Sequence, residues 1–181
     1  GPSSATNPSR SAKNSLSTGL SEPTSLTLGP DGNLCVAIRL SNQILRYNGS
    51  TLALIGAFIN AGLNGPVGLN FGPDGNLYVT ETNGAGDTGR LLKFNGTTGA
   101  PLGQVGSLNL RWGSSPVWDA AGNIYLSERV GNTLLKLNGT TGALIQTLAS
   151  GGNLNGPEFT IFGPDGLLYV SSIFNNSVQK Y

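Results

Sequence analysis

The chain has 181 residues and a formal net charge of +1, from ten Lys and Arg against nine Asp and Glu. With only 10% charged residues it argues against the clustered cations of a nucleic-acid surface and against a solvating charged tail. No apolar run reaches the roughly 18 residues of a membrane helix, and the length suits one domain with its own core.

One cysteine, Cys35, leaves no partner for an intrachain disulfide, and its apolar setting "NLCVAI" marks it as a buried structural thiol. Methionine and histidine are absent. Gly1-Pro2 therefore reads as a cleavage scar or the start of a processed chain.

Residues 1–20 form a polar, Ser-rich segment distinct from residues 21–181. Its end, "STGLSEP" (17–23), matches "NAGLNGP" (60–66) and, more loosely, "GGNLNGP" (151–157). That register puts "SRSAKNSLST" (9–18) where other units carry their last strand. The segment is read as a strand completing the last unit, as a strand exchanged with a neighbour, or as a tail.

From residue 28 one stretch recurs: "LGPDGNLCV" (28–36), "FGPDGNLYV" (71–79), "WDAAGNIYL" (118–126) and "FGPDGLLYV" (162–170). The second glycines, Gly32, Gly75, Gly122 and Gly166, lie 43, 47 and 44 residues apart. Each copy leads to a second apolar run: "QILRYNG" (43–49), "RLLKFNG" (90–96), "TLLKLNG" (133–139) and "SVQKY" (177–181). A third run follows in the first three units: "LALIGAFI" (52–59), "APLGQVGSL" (100–108) and "ALIQTLA" (143–149).

Each unit thus predicts four short strands separated by Gly, Asn and Asp. Asp-Gly and Asn-Gly pairs are expected to supply the positive φ angles of tight turns. The runs "LCVAI", "LLYV" and "IYL" are nearly continuous in apolar character, as strands buried on both faces are. Tandem four-stranded units of about 40–50 residues are the blades of a β-propeller, which bury their faces on one another. The fourth unit stops at Tyr181, before its last strand. A ring of four blades is at the low end of the usual range, so two chains forming an eight-bladed ring, or a longer parent protein, are alternatives.

The motif order P-x-x-L-x-x-G-P-D-G-N-L-Y-V, then N-x-[LI]-L-[KR]-[YF]-N-G-x-T-G, resembles the NHL-type propeller repeat. It is similar to repeats in virginiamycin B lyase-like and gluconolactonase-like propellers. The resemblance covers about residues 20–181. It implies an all-β fold, a propeller of four blades of about 43–47 residues with four antiparallel strands each. It says little about activity.

Asp31, Asp74 and Asp165, in "GPDG", read as turn residues rather than calcium ligands. Glu81 and Glu128 hold equivalent places after the second strand, where the other units have Ile38 and Ser172. In the lactonase-like family, acidic side chains with Asn hold a divalent metal at the channel mouth; here two of four units supply an acid. The plainer reading is ion pairing, of Glu128 with Arg129 or Lys136. The lyase-like enzymes are expected to use histidine with an acid and magnesium, and this chain has no histidine. "GAGDTG" (84–89) does not open a helix and is no phosphate loop.

Trp118 replaces Phe71 and Phe162 and is expected in the core. Arg111 and Trp112 lie in the longest linker, "LNLRWGSSP", the best candidate for a contact surface, by sugar stacking or at a protein interface. Asn48, Asn95, Asn138 and Asn175 begin N-x-[ST] patterns, candidate glycan acceptors in a secretory route.

The expectation is a secreted or cell-surface propeller without enzymatic activity or cofactor. It would bind itself, by strand exchange, or another protein, with no nucleic acid and no membrane span. The alternatives are a carbohydrate-binding propeller using Trp112 and a metal-dependent lactonase- or lyase-like enzyme.

Overall fold

The computed structural model describes residues 18–83 and 88–181. The expected extra strand at 9–18 lies outside them except for Thr18, as does most of the 84–89 loop. Among the described residues, fifteen strands form four antiparallel sheets in chain order, the blades of a β-propeller. Blade one holds β1 (Pro23–Leu28), β2 (Leu34–Ile38), β3 (Gln43–Tyr47) and β4 (Leu54–Ile59). Blade two holds β5 (Pro66–Phe71), β6 (Leu77–Glu81), β7 (Arg90–Phe94) and β8 (Pro101–Gln104). Blade three holds β9 (Val117–Trp118), β10 (Ile124–Glu128), β11 (Thr133–Leu137) and β12 (Leu144–Ser150). Blade four, among the described residues, holds β13 (Pro157–Phe162), β14 (Leu168–Ser172) and β15 (Ser177–Lys180). A single 3₁₀ turn, Ile173–Asn175, joins the last two.

The second strands explain the stacking. β6 and β10 are buried at every position because each lies between neighbouring sheets; β2, in the first blade, is buried at all but its first, with blade two on one face and Leu20 packed against the cluster that includes its Val36 and Ile38. One apolar cluster joins blades one and two through Ala37, Ile44, Leu69 and Val79. A second joins blades two and three through Leu91, Leu110 and Leu126, and a third joins three and four through Leu134, Leu154 and Val170. Edge-to-face ring pairs cross two of these interfaces, Tyr78 on Trp118 at 5.1 Å and Tyr125 on Phe162 at 5.2 Å. Blade one has Cys35 at the tyrosine's place, so its thiol is buried by the same packing and pushed up to about 11.

The turn after each first strand carries the expected positive φ at Gly32, Gly75, Gly122 and Gly166. Its aspartate is a strut. Asp74 accepts from the Asn76 amide and the Tyr78 hydroxyl and pairs with Lys93 at 2.7 Å. Burial raises this carboxyl, but the bonds from Lys93, Asn76 and Tyr78 outweigh it and hold it down at about 2. Arg46 and Lys180 play the lysine's part for Asp31 and Asp165. Blade three has no Asp in that place; Asp119, two positions earlier, reaches Asn123, Tyr125 and Lys136 instead.

The Asn-Gly turns depart from expectation. Gly49, Gly96 and Gly139 are not among the residues with positive φ; that conformation falls later, at Leu52, Gly99 and Gly142. The asparagine carbonyl accepts two amides ahead, Thr97 and Thr98 for Asn95, at 3.0 and 2.9 Å. Glycine is needed because the two turns of a blade touch: a Cβ on Gly96 would sit 1.8 Å from the Gly75 carbonyl oxygen. The repeated stretch is thus a joint between the blade's two turns.

Candidate functional site

The place occupied by Glu81 and Glu128 is set by register: Glu81 faces Arg90, Glu128 faces Thr133 and Ser172 faces Ser177 across the second and third strands. All three side chains hold the linker that enters their blade. Glu81 accepts from the Asn64 amide at 2.8 Å, Glu128 from the Arg111 amide at 2.9 Å and Ser172 from the Asn155 amide at 2.7 Å. The remaining oxygen of Glu81, a fully buried residue, takes the Arg90 guanidinium, and that of Glu128 takes the Thr133 hydroxyl at 3.0 Å. The expected pairing of Glu128 with Arg129 or Lys136 is not made. Arg129 pairs with Glu158 at 3.4 Å and Lys136 with Asp119 at 3.5 Å. Among the described residues no group of three or more His, Cys, Asp or Glu is placed to hold a metal ion.

Trp112 stands at the channel mouth in a left-handed conformation, φ 65°. Its linker is tied to blade three, since Trp112 and Arg111 carbonyls accept from the Arg129 and Val130 amides. The Arg39 and Arg129 guanidiniums lie over its ring, 4.8 and 5.4 Å from the centroid. Arg39 pairs with Glu22 at 2.7 Å and Arg129 with Glu158 at 3.4 Å. Burial raises the Glu158 carboxyl against the pull of Arg129. The hollow lined by Trp112, Ser114, Thr24 and Glu158 encloses about 20 Å³, room for roughly one water. Arg111 itself is exposed, its amide engaged at Glu128 and its carbonyl at Val130.

The candidate glycan acceptors are all at surface turns. Asn48, Asn95 and Asn138 are half-buried, with their side-chain carbonyls used by the turn. Asn175 is exposed, and its amide nitrogen donates to the Asn153 carbonyl at 2.7 Å.

A second region emerges at the two ends of the blade stack, which the sequence reading did not single out. Ile44, Leu91, Leu134 and Val178 occupy one repeat position, opposite Ala37, Thr80, Ser127 and Ser171. The first three are 0%, 1% and 0% exposed; Val178 is 67% exposed. β14 shows the same asymmetry: its burial alternates, because the face toward a following blade is open. The expectation that "LLYV" is covered on both sides therefore holds on one side only.

Composition changes on that open face. Ser25, Gly68 and Ser115 share a place with Phe159, and Thr27, Asn70 and Val117 share one with Ile161. Between blades the polar residues form a ladder, Ser25 to Ser115 at 3.0 Å and Thr27 to Asn70 at 3.0 Å. In blade four they give way to exposed Phe159 and Ile161. At the other end, Leu26 is 66% exposed where its counterpart Leu69 is 1% exposed, and Leu28 is exposed too. Further from the channel the first blade's face holds a buried cluster of Val36, Leu45 and Tyr47 with Leu20. The cavity between these ends and the inner strands encloses about 680 Å³. The available signal was departure from the repeat: Phe159 where other units have Ser or Gly, and Ile161 where they have Thr, Asn or Val.

No protein-family profile matches the chain, and no curated protein sequence matches it. Solved structures do share its fold. A catalytically inactive virginiamycin B lyase from Staphylococcus aureus, solved with quinupristin, matches 92% of this chain and 57% of its own, at 17% identity and a TM-score of 0.68. A chain of a nidogen–laminin complex matches 91% of this chain and 61% of its own, at 19% identity and a TM-score of 0.68. Hydrazine synthase from Kuenenia stuttgartiensis matches 93% and 48%, at 16% identity and a TM-score of 0.67. The chain spans about half to three-fifths of the length of these relatives. At such identities the likeness is one of fold, shared by enzymes and by a component of a protein complex.

Proposed function

We propose that the chain is a non-enzymatic protein-interaction module of an extracellular setting, working through the apolar end faces of its blade stack. The observation that carries this reading is the exposure of Val178 at a position buried in all three other blades. Contiguous apolar surface of this kind is characteristic of interaction sites. The nidogen–laminin relative supports the reading by fold alone.

The likeness to a lyase favours the enzymatic alternative. That alternative needs carboxylates available to a metal, and Glu81 and Glu128 have all four oxygens engaged by their linkers and strands. The carbohydrate alternative needs a free ring face on Trp112, over which two guanidiniums already lie. A further docking edge is suggested by the fourth sheet, three-stranded among the described residues, for which residues 9–18 are the proposed added strand, from the same chain or a neighbour.

Thermal unfolding with and without millimolar Mg²⁺ or Ca²⁺ separates the readings. The interaction module keeps one midpoint in both, and Glu81→Gln lowers that midpoint equally in both. A midpoint that rises with the cation, and no longer rises in Glu81→Gln, would overturn the proposal.

A further inference from the structure

We infer that the occupant of these end faces is a second copy of this chain, blade four of each copy packing on blade one of the other. The inference rests on the interaction reading and names its partner. Three observations select it.

The molecule itself makes the required interface three times. The face of blade one that carries Leu26 and Leu28 corresponds to the face of blade two that carries Leu69 and Phe71, which packs against blade one. The face of blade four that carries Val178 corresponds to the faces of Ile44, Leu91 and Leu134, each packed against a following blade. A second copy therefore presents to each free face the kind of surface that this position in the repeat is shaped to meet.

The two free faces also match in chemistry. One offers exposed Phe159, Ile161 and Val178, the other exposed Leu26 and Leu28. Blade four carries Phe159 and Ile161 where blades one and two carry Ser25, Gly68, Thr27 and Asn70. Exposed apolar side chains grouped on one face are what an interaction surface offers.

The count closes. Each copy contributes four blades. Two copies make eight, within the usual range of propeller rings. Each copy uses two unlike faces, so the interface is head-to-tail, and after two copies the ring shuts with both pairs of faces buried.

This geometry makes a prediction that a like-face dimer does not. Val178→Asp breaks one face and Leu26→Asp the other; both residues are exposed in the single chain, so neither change disturbs its core. Light scattering of the full chain at micromolar concentration should give twice the single-chain mass. Each variant alone should give the single-chain mass. An equimolar mixture of the two variants should regain a two-chain species, because one intact pair of faces remains between them. Circular dichroism and thermal midpoints matching the wild type confirm that the variants fold, and Val178→Ser with Leu26→Ser serves if the aspartates do not.

Wild-type chain at single mass would overturn the inference, pointing to a different protein or to further blades of a longer polypeptide as the cover. So would a pair that survives either variant, or variants that pair with themselves but not with each other. Each of these leaves the interaction reading to the cation experiment, whose failure is read independently.

Discussion

The glycine of each Asn-Gly turn is fixed by contact, not by backbone twist. Gly96 lies against the Gly75 carbonyl, with no space for a Cβ, while Gly75 has positive φ and nothing within 4 Å of its absent Cβ. The two glycines should therefore respond differently to alanine. Gly75→Ala should cost about 1–2 kcal/mol, the strain of a left-handed L-residue. Gly96→Ala should cost about 3 kcal/mol or more, since two turn backbones must separate. Urea denaturation of both variants measures the order, and the reverse order would show that the turn, not the joint, sets the requirement. Spacing made both glycines legible as turn residues. It could not reveal the contact, which joins residues 21 positions apart on different hairpins.

At the scale of the blade, the aspartate strut ties the first turn to the third strand and to the tyrosine of the second. In blade three the strut survives although its aspartate has moved to Asp119. Burial raises the Asp119 carboxyl, yet bonds from Asn123, Tyr125 and Lys136 prevail and hold it at about 2. A carboxyl lowered on folding contributes stability that is complete above its ordinary value, 3.8, and is lost as pH falls towards about 2. Asp119→Gly should then be less stable at neutral pH, and its stability should fall less steeply through that acid interval. Adding Ala121→Asp rebuilds the arrangement of the other blades and should restore both the stability and the slope. Acid titration of unfolding free energy for the wild type and both variants measures this; a double variant no better than the single one would mean that position 119 is not interchangeable with position 121.

The blades were legible in the sequence because each repeats the same punctuation at nearly the same interval, and because "LCVAI" and "IYL" have the unbroken apolar character of strands covered on both sides. "LLYV" in blade four has that character too, yet one of its faces is open. A strand's pattern records the neighbour it is built to have, whether or not that neighbour lies in the same chain. The candidate site was legible in part. Equivalence of Glu81 and Glu128 followed from the repeat, but their partners are linker amides, which leave no trace in residue types. Arg111 and Trp112 stood out by the irregular linker, while the guanidiniums over the indole come from Arg39 and Arg129, the former two blades away in the chain.

Over the whole molecule, the proposed working surfaces are the ends of the blade stack, while Glu81 and Glu128 hold the linkers that enter their blades. Amide hydrogen exchange over a concentration series tests this most directly, because it reports which backbone becomes covered on association. Protection of β1, β13 and β15 should rise with concentration, while β6 and β10, already buried between blades, should keep the same protection. Protection that rises instead in the Arg111–Trp112 linker, with the end strands unchanged, would contradict this placement and move the working surface to the channel mouth.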